Sequence, residues 1–180
     1  MSVTQSASSM IVNGNILKKV YFPREIIPIS VVTSATYTFL ISTGIILVFV
    51  LFSGIGFTLN ILYYPVILLV QYVFLLGVSF ILSSITVLLR DIEHLIGVFL
   101  MLLFYATPIV YSGDTVPQAF RTVLNLNPMS HIINGYRNIF YYQTAPDFVK
   151  LSILFVLSII LCIVGYLIFN KLQKRFAEEL

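Results

Sequence analysis

The sequence predicts an all-α polytopic membrane protein with about four transmembrane helices, and two observations predict it. First, 59% of the 180 residues are hydrophobic, 9% are charged and the mean hydropathy is +1.01. Such a composition excludes a soluble domain. Second, the chain contains several apolar stretches near the roughly twenty residues that a membrane crossing needs. The predicted spans of this single transmembrane domain are residues 29–52, 62–89, 95–110 and 148–169.

The first predicted element is a short amphipathic helix within residues 13–28, before the first span. Its apolar positions share one face and Lys18 and Lys19 lie between them. This periodicity fits an interfacial helix held to anionic headgroups, and it fits equally a helix that docks on a cytoplasmic partner. Pro23 ends the helix by forcing the preceding residue out of helical conformation. Pro28 lies near the first turn of the next helix, where its missing N–H costs little.

Small polar residues mark the first two spans. In the first, hydroxyl-bearing residues recur every four positions and so share one face: Ser30, Ser34, Thr38 and Ser42. Small residues at this spacing allow close helix packing, and the alternative is a polar wall of a translocation pathway. In the second span Gln71 is the carboxamide at depth. A carboxamide there is expected to bond to a neighbouring helix.

Basic residues predict the orientation. The larger set is Lys18, Lys19, Arg24, Arg90, Lys171, Lys174 and Arg175, and the smaller set on the other side is Arg121, Arg137 and Lys150. Cytoplasmic loops carry the excess of Lys and Arg, which places the N-terminal helix, the turn at residues 90–94 and the 170–180 tail in the cytoplasm. The turn with Arg90 and Asp91 fits either a solvated loop with a weak ion pair or a cytoplasmic gate.

The segment before the last span, residues 108–147, is too apolar for a loop in water and too interrupted to cross. Thr115 followed by Pro117 and Asn127 followed by Pro128 each read as an N-cap with Pro in the first turn. Two short helices over residues 115–142 are therefore expected. They could lie flat on the surface, but a re-entrant pair beside a pathway accounts better for two consecutive caps, and indicates a transporter or channel.

Catalytic and metal-binding patterns are missing from the sequence. A phosphate-binding Gly-rich loop with Lys and Ser/Thr does not occur. His94 and His131 fall on predicted opposite sides of the membrane, and the predicted spans contain no Asp, Glu, Lys, Arg or His at depth; Lys150 lies at the outer end of the last span. We therefore expect a transport subunit without enzymatic activity and without a cofactor or metal of its own.

Four motifs, taken in order, resemble permease subunits of bacterial ABC exporters for lipid-linked polysaccharides, the group that moves teichoic acids, O-antigens of lipopolysaccharide and capsules. They are Asn15 to Pro28 with Phe22-Pro23-Arg24-Glu25, Leu89-Arg90-Asp91-Ile92, Thr107-Pro108-Ile109-Val110-Tyr111, and Leu126-Asn127-Pro128-Met129 through Gly135-Tyr136-Arg137. Relatives usually have more spans, so that this chain corresponds to the part from about the second span onward and would lack the N-terminal part.

The resemblance implies roles for particular residues. Those of the coupling helix, which would dock on a separate ABC ATPase subunit, are Lys18, Lys19, Phe22, Pro23, Arg24 and Glu25. Arg90 and Asp91 would form a cytoplasmic gate. Residues of the pathway and the outward gate helices would be Tyr105, Tyr111, Pro128, Asn134, Tyr136 and Arg137.

The same resemblance implies the partners. Two permease copies and two ATPases would surround a channel in the bacterial cytoplasmic membrane, with ATP and Mg²⁺ bound by the ATPases. The substrate would be a lipid-linked glycan, an undecaprenyl-linked polysaccharide or teichoic-acid-like polymer. Membrane lipid is a further expected contact and nucleic acid is not. The alternatives are a drug or small-lipid exporter and a non-transporting membrane scaffold.

Overall fold

A computed structural model describes residues 2–14, 23–52, 58–89, 91–109, 124, 126–174 and 176. Over these ranges every regular element is helical, which confirms the all-α prediction. The helices are α1 (Ser2–Val12), α2 (Ile26–Phe52), α3 (Tyr64–Leu88), α4 (Ile92–Tyr105), α5 (Pro128–Arg137) and α6 (Phe148–Leu172). A 3-10 turn, Leu59–Tyr63, precedes α3, and a π-helical turn, Asn138–Tyr142, follows α5.

Within the described ranges, three helices are long and apolar enough to cross a membrane. They are α2 with 27 residues, α3 with its preceding turn, 30 residues, and α6 with 25 residues. The structure differs from the prediction at the third span, residues 95–110. Helix α4 begins earlier and has 14 residues, so it rises about 21 Å against a hydrocarbon core of about 30 Å. It ends before Pro108, which has no N–H to continue the ladder.

Helix α1 has no counterpart among the predicted elements. Its buried face consists of Ser6, Ala7, Ser9 and Met10, and the hydroxyls of Ser6 and Ser79 are hydrogen-bonded where α1 packs on α3. Small side chains allow this approach. The sequence signal was the spacing of Ala7 and Met10 among serines, which carries too little apolar periodicity to predict a helix.

Helices α3 and α6 cross in backbone contact. A Cβ atom added to Gly77 would lie 2.8 Å from the backbone nitrogen of Cys162, and one added to Gly165 would lie 2.6 Å from the carbonyl oxygen of Gly77. Both glycines are buried. Because only hydrogen fits at these two positions, the crossing fixes the position of α6 relative to α3 and, through them, of every helix that packs on the pair.

Two apolar cores lie at opposite ends of this crossing. The first core joins α1, the start of α2 and the ends of α3 and α6, and consists of Met10, Ile27, Phe80, Val87, Phe169 and Phe176. The second core joins α5 to the starts of α3 and α6, and consists of Ile67, Val70, Ile132, Ile139, Leu151 and Leu154. The candidate site residues are therefore divided between two ends of the molecule.

Candidate functional site

Helix α5 starts as its sequence predicts. The Asn127 side-chain oxygen accepts a hydrogen bond from the Met129 backbone N–H at 3.0 Å, and Pro128 occupies the first turn. This confirms the N-cap followed by Pro. The Asn127 amide nitrogen also donates to the Thr107 hydroxyl at 2.9 Å, so the start of α5 is connected to the segment that follows α4.

Helix α5 runs from the middle of the bundle to one end. Pro128 lines a cavity together with Phe74, near the middle of α3, and Leu157, near the middle of α6. After the π-helical turn, the chain meets the 3-10 turn before α3, where the Asn60 amide donates to the Gln143 carbonyl at 2.6 Å. Helix α5 therefore begins at mid-height between three spans and climbs to their ends, and we propose that it is re-entrant in the membrane. The preceding predicted helix, from Thr115, lies outside the described residues except for residues 124 and 126.

The turn after α5 is strained. Gln143 has a φ of 54°, in the left-handed region that non-glycine residues seldom adopt. Beyond the Asn60 contact, the Thr58 hydroxyl donates to the Gln143 side-chain oxygen at 3.0 Å. Together with the π-helical turn, a feature common at functional sites, these contacts tie the end of α5 to the loop before α3. Sequence reasoning missed Thr58, Asn60 and Gln143. The available signal was the pair of loop carboxamides, Asn60 and Gln143.

Tyr136 points from α5 into the bundle. Its hydroxyl donates to the Gln71 side-chain oxygen at 2.8 Å, which confirms the predicted partner for the Gln71 amide. Its ring packs at 5.4 Å from the Phe39 ring and 5.7 Å from the Tyr64 ring, measured between centroids. Tyr136 thus joins α2, α3 and α5.

Arg137 and Asn134 point elsewhere. The Arg137 guanidinium donates to the Pro108 carbonyl at 2.7 Å and to the Ile109 carbonyl at 3.2 Å, next to the end of α4, where a cation is favourable. Asn134 is exposed and lines a polar cavity beside the start of α6. Three of the four predicted gate residues on α5, Asn134, Tyr136 and Arg137, therefore face three directions and do not converge on one site within the described part of the chain. Tyr105 is 66% exposed on α4, and Tyr111 lies outside the described residues.

A pair of adjoining cavities separates α5 from α6. The larger, of about 660 Å³, is mostly apolar, and the smaller, of about 270 Å³, is polar; His131 and Lys150 line both. Lys150 forms an ion pair with Asp147 at 3.1 Å. Hydrogen bonds from the backbone and side chain of Lys150 lower the pKa of the Asp147 carboxyl, which therefore remains ionised near neutral pH.

At the first core, the loop before α2 is tied to the end of α6. The Arg24 guanidinium donates to the backbone carbonyl of Gln173. Backbone bonds from Ile26 to the Pro23 carbonyl and from Ile27 to the Arg24 carbonyl, each 3.2 Å, make a tight turn into α2, with Pro28 buried in its first turn. Of the other predicted coupling residues, Pro23 is exposed and Glu25 half-buried beside Arg24, whereas Lys18, Lys19 and Phe22 lie outside the described residues.

The predicted cytoplasmic gate is described in part. Asp91 is exposed and precedes the first turn of α4, but its side chain accepts no capping hydrogen bond. Arg90 lies outside the described residues. Within the described part of the chain, His, Cys, Asp and Glu form no group of three that could hold a metal ion.

The bundle, with its mid-height helix before the last span, can be compared with known families. The sequence profile described as ABC-2 type transporter matches residues 1–141. The chain belongs to the ABC-2 type transporter family. As a member of this family it is a membrane permease. Its sequence is similar to those of relatives over nearly its whole length.

Two relatives illustrate the similarity of this ABC-2 permease. The O-antigen export system permease protein RfbA of Klebsiella pneumoniae is 39% identical over 180 residues, which cover 99% of this chain and 69% of the relative. The protein of the same name from Myxococcus xanthus is 34% identical over 181 residues, covering 99% of this chain and 70% of the relative.

Proposed function

We propose that this chain is the membrane-spanning permease subunit of an ATP-driven exporter that moves a lipid-linked polysaccharide across the bacterial cytoplasmic membrane. The observation that carries the proposal is its identity of 39% and 34% to two O-antigen export permeases over nearly the whole chain. Those names favour an O-antigen-type polymer over a teichoic-acid-like one. They also favour export of a polymer over the two alternative functions, an exporter of drugs or small lipids and a non-transporting membrane scaffold.

Helix α2 supports a pathway formed with a second copy of the permease. Along its 27 residues only Ile27, Pro28, Val32 and Thr43 are buried. The stripe of Ser30, Ser34, Thr38 and Ser42 is exposed along its whole length. Packing within the chain therefore does not account for the stripe. We assign it to the wall of the translocation pathway between two copies, where hydroxyls can meet the sugars of the substrate.

The loop before α2 supports coupling to an ABC ATPase. Its turn at Arg24 and Glu25 is anchored to α6 through the Gln173 carbonyl and to the first core through Ile27. A force applied to this loop by a partner would therefore reach α2, α3 and α6 together. We place this loop and the C-terminal tail in the cytoplasm, as the distribution of Lys and Arg predicts. ATP and Mg²⁺ are bound by the ATPase.

The coupling assignment predicts the outcome of a pull-down. The tagged protein, purified in mild detergent from its native locus, should bring down an ABC ATPase identifiable by mass spectrometry. Replacing Arg24 and Glu25 with Ala should reduce the recovered ATPase about tenfold, because both the charged contact surface and the anchor to Gln173 are removed.

The matched control for this experiment is the pair of half-buried Glu93 and exposed His94 at the start of α4, replaced in the same way. This control should retain the ATPase at the wild-type level. Equal recovery of the ATPase from both double variants would contradict the assignment of the coupling loop. Recovery of the wild-type protein without any ATPase would contradict the exporter and favour a scaffold.

A further inference from the structure

The larger of the two cavities beside α5 lies outside the proposed pathway and has the shape of a lipid groove. It opens between α3, α5 and α6, and among its described lining residues none belongs to α2. Apolar side chains form its length: Phe74, Ile153, Leu154, Leu157 and Leu161. His131 and Lys150 form one end, where the groove joins the polar cavity. The groove is thus apolar along its body and polar at its mouth.

The length of the groove matches one leaflet of a bilayer. On α6 it extends from Lys150 to Leu161, a rise of about 16 Å along the helix axis. Half of the hydrocarbon core of a membrane is about 15 Å. Lys150 lies in the first turn of this span, at the level of lipid headgroups, and Leu161 lies near its middle. A hydrocarbon chain of a membrane lipid can therefore lie along the groove from headgroup to midplane.

The mouth of the groove carries both signs of charge. The Asp147 and Lys150 side chains are paired at 3.1 Å but are 46% and 60% exposed, respectively. Exposed pairs of this kind contribute little stability by themselves and are free to exchange partners. The side-chain amides of Asn134 and Asn138 line the same polar cavity and add hydrogen-bond donors. A phosphate and an ammonium group, side by side, would satisfy this arrangement.

We propose that the groove between α3, α5 and α6 binds an aminophospholipid, with its phosphate at Lys150, its ammonium group at Asp147 and one acyl chain along α6 to Leu161. The volume of about 660 Å³ lies within the range of roughly 300–1,000 Å³ typical of small-ligand cavities. It therefore accepts one chain, and the other remains in the bilayer. An anionic lipid without an amine would occupy Lys150 through its phosphate and leave the Asp147 carboxylate without a cation.

The bound lipid would support α5 in its re-entrant position. On one side α5 is held by the second core through Ile132, and the π-helical turn that follows it through Ile139. On the cavity side the lipid chain fills the space between Pro128 and the middle of α6. Filling this space removes a void that would otherwise cost packing energy.

A second apolar cavity allows the phospholipid to be distinguished from a competing ligand, a polyprenyl carrier. This cavity, of about 390 Å³, lies between α3 and α4, includes Leu95 and shares Phe74 and Pro128 with the groove. A polyprenyl carrier, much longer than one leaflet, would extend through both cavities. A phospholipid chain ends within the groove. Substitutions in the two cavities therefore distinguish the two occupants.

The test uses the complete protein in the complex in which it is extracted, reconstituted in nanodiscs of phosphatidylcholine with equal small fractions of phosphatidylethanolamine and phosphatidylglycerol. Lipids that remain bound after detergent exchange are identified by native mass spectrometry. We expect phosphatidylethanolamine to be retained. Leu157→Trp, which fills the groove, should reduce its retention about tenfold. Asp147→Asn should abolish the preference over phosphatidylglycerol.

Two control variants complete the test. Leu167→Trp changes an exposed residue of α6 that is 61% exposed, close to the 56% of Leu157, and should retain the lipid, as should Leu95→Trp in the second cavity. Equal retention of all three phospholipids, or retention unaffected by Leu157→Trp, would overturn the proposal. So would a bound polyprenyl lipid whose retention both Leu157→Trp and Leu95→Trp reduce.

Discussion

Replacing Gly165 with Leu is expected to destabilise the helical bundle strongly. Its Cβ position lies 2.6 Å from the Gly77 carbonyl oxygen and 3.3 Å from the Phe80 Cβ atom, so the new side chain meets backbone that cannot rotate away. Overpacking of this kind typically costs up to about 3 kcal/mol, and more where backbones must separate. A loss of 3 kcal/mol corresponds to a fall in apparent Tm of about 6–12 °C for a chain of this size.

Fluorescence-detected size exclusion and a thermal melt of the tagged protein measure this loss. Gly97→Leu is the matched control, because an added Cβ atom there meets nothing within 4 Å in α4. Gly135→Ala should be intermediate, since its nearest neighbour is the Ile67 side-chain methyl at 3.1 Å, which can move. Equal melting temperatures for the Gly165 and Gly97 variants would show that α3 and α6 are not in backbone contact.

Replacing Thr38 with Trp is expected to abolish export while leaving membrane insertion intact. Thr38 is exposed in the middle of the α2 stripe, and among the described residues its hydroxyl donates to the Ser34 carbonyl of its own helix. The substitution therefore disturbs no packing within the chain. In the proposed assembly the indole would occupy the pathway, and we expect at least about a hundredfold loss of surface polymer, by analogy with the effect of misplacing groups in a site.

The control for Thr38 is Leu51→Trp, on the same helix but away from the stripe by the helical period. Leu51 is 60% exposed, so both variants add an indole to an exposed position. Surface polymer is measured by extraction and electrophoresis, and the amount of permease in the membrane by immunoblot. Normal export by the Thr38 variant would exclude the stripe from the pathway.

Local rules predicted the parts of the fold that depend on apolar length and capping. The long spans followed from runs of Leu, Ile, Val and Phe, and Asn127 with Pro128 gave the start of α5 to the residue. The interhelical hydrogen bond of Gln71 was predictable because a carboxamide among apolar side chains has few possible partners. Helix α1 escaped prediction because its buried face is built from serines, whose fit depends on Ser79 in a distant part of the sequence.

The directions of the gate residues show a second limit of prediction from sequence. Asn134 and Tyr136 are two positions apart, and a helix turns about 200° over that distance, so they cannot face one site from a single α5. The sequence also places Tyr136 at helical spacing from the apolar residues Ile132 and Ile139. The left-handed Gln143, by contrast, depends on contacts with Thr58 and Asn60 far along the chain. No local pattern could predict it.

The measurement that tests the proposed function most directly is the location of the lipid-linked polymer after deletion of the gene that encodes this chain. Our account predicts that surface polymer disappears and that undecaprenyl-linked polymer accumulates on the cytoplasmic side of the membrane, where it is protected from added glycosidase in intact cells. Restoring the gene should reverse both changes. Unchanged surface polymer, with no carrier-linked polymer retained inside, would contradict a role in export.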